Sequence, residues 1–153
     1  FLNREADKNV IKAVQMMLDA GLTVKILSAV YEDDHSMDEK QQWLNENGLS
    51  ALTERIFVPY GEDKFRYIAQ NKNVLPVLLD DYGRNLKAWE SKGYLAIKYM
   101  NGINSRPKLE IVGNMVQVKQ DSWCGYSVDS RMAPAMMFNA ITAISNSAAL
   151  SVA

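Results

Sequence analysis

Cysteine is nearly absent from this chain: Cys124 is the only one in 153 residues. That excludes an internal disulfide and a CxxC metal pair, and it makes a reducing cytoplasm the expected setting. His35 is the single histidine. It has no partner pattern around it and reads as a loop residue. Neither sign of charge is in excess, since 17 Lys and Arg face 18 Asp and Glu for a formal net charge of -1. There is thus no basic footprint for nucleic acid and no acidic tail. No apolar run reaches the ~18–20 residues of a membrane span, and no signal-peptide pattern opens the chain. Repeats, low-complexity tracts and interdomain linkers are missing too. The chain does not begin with Met but with "FLNREADKNV", already close to a helix start, so a trimmed chain or a fragment is expected.

What is present is ordinary globular material, 48% hydrophobic and 23% charged. One domain is the prior at this length, and it buries roughly 68–70% of its unfolded surface, enough for a core without disulfide or metal staples. Residues 7–20 read as a helix, with Val10, Ile11, Val14, Met17 and Leu18 at helical spacing, Asp7 or Asn9 as cap and Gly21 at the stop. "LTVKILSAV" (22–30) reads as a strand. "SMDEKQQWLNENG" (36–48) reads as a helix with Ser36 as N-cap and Glu39 three residues on. A strand over 55–60, a short helix over 61–71 and a strand over 74–80 follow, Pro76 marking an edge or an irregular start. A helix over 84–93 and a strand over 94–100 complete the alternation. Strands alternating with helices predict βαβ units and a parallel sheet with helices on both faces. After residue 100 the pattern changes to a hairpin around Gly113-Asn114 and a last helix near 131–147 carrying Met132, Met136, Met137, Ile141 and Ile144. The division expected is a core over 1–104 with a hairpin-and-helix tail, 105–153, packed on the same domain.

Ligands of open α/β sheets bind outside the carboxyl ends of the parallel strands. Three polar features fall at such ends: Ser28, Lys64 in "GEDKF", and the adjacent carboxylates Asp80 and Asp81. Two carboxylates at a strand end attract a hard cation such as Mg²⁺; otherwise Asp81 caps the next helix and Asp80 pairs with a nearby Lys. Lys64 lies where a helix dipole disfavours a cation, which suits a facing anion. The alternative is a solvated lysine neutralised by Glu62 or Asp63. Ser28 offers a hydroxyl to a phosphate oxygen, though a lone serine is a weak signal.

In this order the three features resemble motifs two, three and four of the haloacid-dehalogenase-like phosphatases. "ILSAV", "RIFVPYGEDK", "LLDDYGRNLKAWE" and "GYLAIKYMNGIN" are similar to the bacterial and phage branch of the 5'(3')-deoxyribonucleotidase family, over about residues 1–104. The resemblance implies a three-layer, Rossmann-like parallel sheet. It implies hydrolysis of nucleoside monophosphates through an aspartyl-phosphate, with Ser28 and Lys64 as catalytic, phosphate-binding residues and Asp80 and Asp81 holding Mg²⁺. The family's first motif, a DxD supplying nucleophile and general acid/base, matches nothing in these 153 residues; "YEDDHS" follows the strand of Ser28 instead. By that comparison the first strand and cap lie upstream of Phe1. A chain of this kind is expected to lack turnover alone and to cover the strand edges left bare, by homodimerising or by swapping in the tail hairpin. Two other readings stay open: a non-catalytic phosphate- or nucleotide-binding or assembly module, and a sugar-phosphate phosphatase of the same superfamily. Trp123 and Tyr126 read as packing residues able to stack on a base, and Cys124 has no sequence neighbour that would activate it.

Overall fold

The computed structural model describes residues 2–33, 35–104, 108–112, 115–119 and 123–152. The protein is α/β, with elements in the order α1 (Lys8–Asp19), β1 (Ile26–Val30), α2 (Ser36–Glu46), β2 (Arg55–Pro59), a 3-10 turn (Lys64–Tyr67), β3 (Val77–Asp80), α3 (Gly83–Glu90), β4 (Leu95–Met100), β5 (Lys108–Val112), β6 (Met115–Lys119), β7 (Tyr126–Asp129) and α4 (Pro134–Val152). The chain divides into two compact units, Phe1–Gln70 with Arg131–Ala140, and Asn71–Ser130 with Ile141–Ala153.

In the first unit α1 begins where the sequence predicts. The Asp7 carboxylate accepts from the Asn9 and Val10 amides, two of the donors a helix start leaves unpaired. Ile11, Leu44, Leu49 and Leu52 form its core, with Val14, Leu18, Val24, Ile26 and Trp43 packed against them. β1 and β2 run parallel in the register Ser28↔Phe57. β1 is shorter than the nine-residue run suggests: residues 22–25 stay outside the strand, and Lys25 pairs with Glu54 at 2.6 Å. The start of α2 also departs from expectation. Ser36 is its first helical residue and not its cap, because Asp33 Oδ1 takes the His35 and Ser36 amides while the Ser36 hydroxyl accepts from the Tyr31 amide. The helix expected over 61–71 is a single 3-10 turn, since Gly61 (φ +91°) and a run of polar residues leave too little apolar face for more.

Arg55 ties β2 to α2. Its guanidinium donates to the carbonyls of Leu52 (2.7 Å), Leu49 (3.1 Å) and Gln41 (3.4 Å) and to Asn45 Oδ1 (2.7 Å). Only a planar fork reaches acceptors spread this widely.

In the second unit β3, β4 and β7 form a parallel sheet in that order. β4 is central, so Leu95, Ala96, Ile97 and Lys98 are all buried, as expected of a strand paired on both sides and covered on both faces. β3, with Pro76 just before it, is an edge strand as the proline suggests. α3 packs on β3 and β4 and buries Leu86 and Trp89; the Trp89 ring meets Tyr94 edge-on, centroids 5.4 Å apart. β7 is a strand the sequence does not announce. "YSVD" is short and half polar, and only Val128 is buried. β5 and β6 pair antiparallel with Val112 opposite Met115, as a two-residue hairpin requires; Gly113 and Asn114 themselves lie outside the described residues. Trp123 lies against Gly125, where a Cβ would come within 2.5 Å of the indole, and donates to the Tyr126 carbonyl. In α4, Met137 and Ile141 are buried and Met136 is exposed, so the methionine stripe is only partly core.

The sheet therefore differs from the single one expected. Strands β1 and β2 pair with each other alone among the described residues, and β3–β4–β7 form a separate sheet. No helix among the described residues is long and apolar enough to cross a membrane.

Replacing Arg55 should show how much the β2–α2 junction depends on the fork. Arg55→Met strands several carbonyls and is expected to cost about 2–3 kcal/mol, and Arg55→Lys should recover less than half of that. Urea denaturation measures both; a full rescue by Lys would show that charge, not geometry, holds the junction.

Candidate functional site

Ser28 and Lys64 belong to the first unit, Asp80 and Asp81 to the second. Each pair takes its surroundings from its own unit.

Ser28 is the middle residue of β1, half-buried and opposite Phe57 of β2, and so lies within the strand and not at the carboxyl end the sequence suggests. From α2, Lys40 extends its ammonium to the Ser28 hydroxyl at 3.2 Å and to the Ala29 carbonyl. Lys40 was not singled out by sequence, yet a signal exists. It lies four residues before the buried Leu44, hence on the inward face of α2, where an exposed lysine would not be placed. Burial is the main cause that lowers its pKa, followed by the positive charges of Lys64 and Arg4. Arg4 is held in place through its backbone, whose carbonyl accepts from the Trp43 indole at 2.8 Å. Lys64 and Arg4 thus act on the Lys40 charge, and Lys40 in turn is bonded to the Ser28 hydroxyl.

Lys64 opens the 3-10 turn after β2. Four residues do not build a dipole comparable to an α-helix, so the expected conflict with a helix N-terminus is weak. The two carboxylates beside it have other engagements. Glu62 accepts from the Tyr67 hydroxyl, which pushes that phenol's pKa up, and Asp63 lies 3.8 Å from Arg66.

In the second unit the paired aspartates have different work. Asp80 is 8% exposed. Its Oδ1 accepts from the Tyr82 amide at 2.8 Å and its Oδ2 from the Asn85 side chain at 3.0 Å. It is Asp80, not Asp81, that organises the start of α3. It also stands in register with Lys98, so both side chains project to one face of the sheet; the Lys98 ammonium donates to the Asn104 carbonyl at 3.2 Å. Asp81 is less buried. Its Oδ2 accepts from the side-chain amides of Asn101 (3.1 Å) and Asn104 (2.9 Å) in the loop after β4. No hydrogen bond among the described residues reaches its Oδ1.

These contacts test how well Mg²⁺ would fit. Among the described residues no group of three or more His, Cys, Asp and Glu side chains is placed to hold a metal ion. Mg²⁺ does not need one, since it is commonly held by one or two carboxylates, waters and substrate phosphate oxygens. Asp81 fits that role through Oδ1, with Asn101 and Asn104 fixing the carboxylate's orientation. Asp80 fits it less well, because both of its oxygens already accept hydrogen bonds. Asn101 and Asn104 escape sequence reasoning because their partner lies 20 and 23 residues away.

The remaining candidates are peripheral. His35 precedes α2 on the surface without a side-chain cap bond, Cys124 is exposed, and the Trp123 indole donates to the Tyr126 carbonyl. A shallow open hollow of about 500 Å³ lies beside Arg55, lined by Met37, Gln41, Asn45 and Phe57; Arg55 itself is fully occupied there. Comparison with family models, curated proteins and solved structures gives no match to this chain.

The lowered pKa of Lys40 sets a pH dependence. Between that lowered value and the ordinary 10.5, the unfolded chain holds the proton and the folded chain does not, so stability rises with pH there. Wild type is expected to gain on Lys40→Met as pH climbs from neutral toward 10.5, read as the difference in urea midpoints. Tyr67 is common to both proteins and cancels. A difference that stays constant across the range would refute the assignment.

Proposed function

We propose that this protein binds phosphomonoesters, nucleoside monophosphates among them, as an α/β module of the haloacid-dehalogenase type. The reading includes a Rossmann-like three-layer arrangement and Mg²⁺ as cofactor. The observation that carries it is the Ser28 hydroxyl in β1, with the Lys40 ammonium bonded to it and Lys64 and Arg4 near enough to act on the Lys40 charge. A phosphoryl dianion at the Ser28 hydroxyl would be attracted by the Lys40 ammonium and by the Lys64 charge. Ser28 donates its hydroxyl to a phosphoryl oxygen, Lys64 neutralises charge on the group, and Lys40 positions Ser28. In the second unit Asp81 would hold Mg²⁺, supported by Asp80 through the β3–α3 turn; such a cation, when bound, supplies positive charge to a phosphate oxygen.

The reaction implied by the resemblance needs two further groups. A carboxylate must attack phosphorus while the bond to the leaving alkoxide breaks, and a general acid must give that alkoxide its proton. No DxD in the 153 residues supplies them. For this chain the supported activity is therefore binding, and hydrolysis belongs to an assembly in which such an aspartate is provided. That same observation favours the second reading, a phosphate- or nucleotide-binding module with no turnover.

Calorimetric titration with inorganic phosphate is expected to show binding that Ser28→Ala and Lys64→Met each weaken about tenfold, the worth of one charge-assisted hydrogen bond. Asp81→Asn should weaken Mg²⁺ binding and leave phosphate affinity without Mg²⁺ unchanged. Hydrolysis of p-nitrophenyl phosphate and deoxynucleoside monophosphates by this chain should be absent, and should appear when a segment with a DxD aspartate is supplied. Absence of turnover in both cases would leave only the binding module. Failure of wild type to bind phosphate would sink both.

A further inference from the structure

Strand β2 is paired on one side only, since among the described residues its single partner is β1. The Ile26 amide donates to the Glu54 carbonyl, and the Tyr60 amide to the Val30 carbonyl. Backbone groups alternate in direction along a strand. With positions 54 and 60 turned toward β1, Arg55 and Phe57 turn their amides and carbonyls to the open side. No hydrogen bond among the described residues reaches those four groups. The edge stops at Pro59, which has no amide and whose carbonyl accepts from the Glu62 amide. Exposed edges are commonly guarded by an outward charge, but Arg55 gives no such guard. Its side chain folds back onto the carbonyls of Gln41, Leu49 and Leu52 and onto Asn45.

The hollow of about 500 Å³ adjoins the same two residues. Arg55 and Phe57, two apart on β2, share one face of the strand. Opposite them stand Met37, Gln41 and Asn45, spaced by four along α2, and Ser50 and Thr53 add hydroxyls. No carboxylate lines it. Each hydrogen bond of the Arg55 guanidinium ends on a neutral oxygen, and no ion pair reaches it among the described residues. The neighbouring Glu54 pairs with Lys25 instead. The donors of Arg55 are occupied, but its charge is not cancelled. A hollow this shallow does not enclose a small molecule, which typically buries about 70–90% of its surface in its site. An extended peptide needs no enclosure, because main-chain bonds to a strand edge hold it while alternate side chains enter pockets. We propose that the open edge of β2 and the hollow beside it take an extended segment of a partner polypeptide. Its backbone pairs with Arg55 and Phe57, and an acidic side chain enters the hollow toward the Arg55 charge. This surface is independent of the phosphate-binding reading.

Titration with an acetylated, amidated pentapeptide of alternating threonine and glutamate, followed by amide NMR shifts, tests this. Two controls accompany it: the same peptide with glutamine for glutamate, and the acidic peptide with its backbone amides methylated. The acidic peptide is expected to bind about tenfold more tightly than the glutamine one, the effect of one facing charge near the surface. Its shifts should centre on the Arg55 and Phe57 amides, and methylation should abolish binding. Gln41→Glu, which sets a carboxylate in the hollow, should remove the preference for the acidic peptide. It should leave the affinity for the glutamine peptide unchanged, which also reports that the variant is folded. Equal binding of acidic and glutamine peptides by wild type would overturn the proposal, as would shifts that miss Arg55 and Phe57 or binding that survives methylation. A dimer in size-exclusion chromatography that the acidic peptide dissociates would assign the edge to a second copy of this chain and overturn the separate partner.

Discussion

A carboxylate buried at the end of a strand has to be met by donors on both oxygens, and the second unit is built around meeting that demand at Asp80. The Tyr82 amide and the Asn85 side chain answer it, and in doing so they fix where α3 begins. That start sets the phase of the helix, so that Leu86 and Trp89 face the sheet and are buried. Lys98, in register with Asp80 and almost wholly buried on β4, places an opposite charge on the same face, where isolated burial of either would be costly. With Asp80 committed in this way, Asp81 is left to the loop after β4, and its position is decided by Asn101 and Asn104. One residue of the pair fixes the start of α3, and the other ties down the loop after β4.

The first unit repeats the logic with the opposite sign. Lys40 is the charge drawn inward, and the Ser28 hydroxyl and the Ala29 carbonyl answer it. Neutral oxygens satisfy its protons but do not cancel its charge, and Lys64 and Arg4 add to the repulsion. Around Asp80 the answer comes from two donors, around Lys40 from two oxygen acceptors.

Much of this was legible in the sequence, and the pattern of success has a physical basis. α1, α3 and β4 follow from local signals: a capping carboxylate, a helical apolar period, a continuous apolar run. Ser28, Lys64 and the aspartate pair stand out in the sequence as polar residues near strand ends, but the structure sets Ser28 in the middle of β1 and divides the four between two units. The misses are tertiary. β7 is a strand only because β4 offers it an edge, and the helix expected over 61–71 shrinks to one turn because nothing buries a longer one. Ser36 is not the cap because the Asp33 carboxylate takes its amide and that of His35, which leaves His35 at the N-cap and Ser36 in the first turn. Lys40, Asn101 and Asn104 make their bonds 12 to 23 residues away, beyond what spacing can encode.

The division of the strands bears on how such a site is completed. β1 and β3 are each edge strands among the described residues, and every residue of β1 is only half-buried, unlike the four buried residues of β4. A parallel strand with open backbone groups and an apolar sequence such as "ILSAV" is an incomplete element, since an exposed edge is a template for pairing. On the proposed reading the group missing from the chemistry is a strand-end aspartate, and the group missing from the sheet is a strand. A strand ending in DxD and paired to the open edge of β1 would meet both needs within the first unit, bringing an aspartate beside the strand that carries Ser28. The catalytic and the structural deficits thus have one common remedy, which makes activity and edge coverage expected to be gained together.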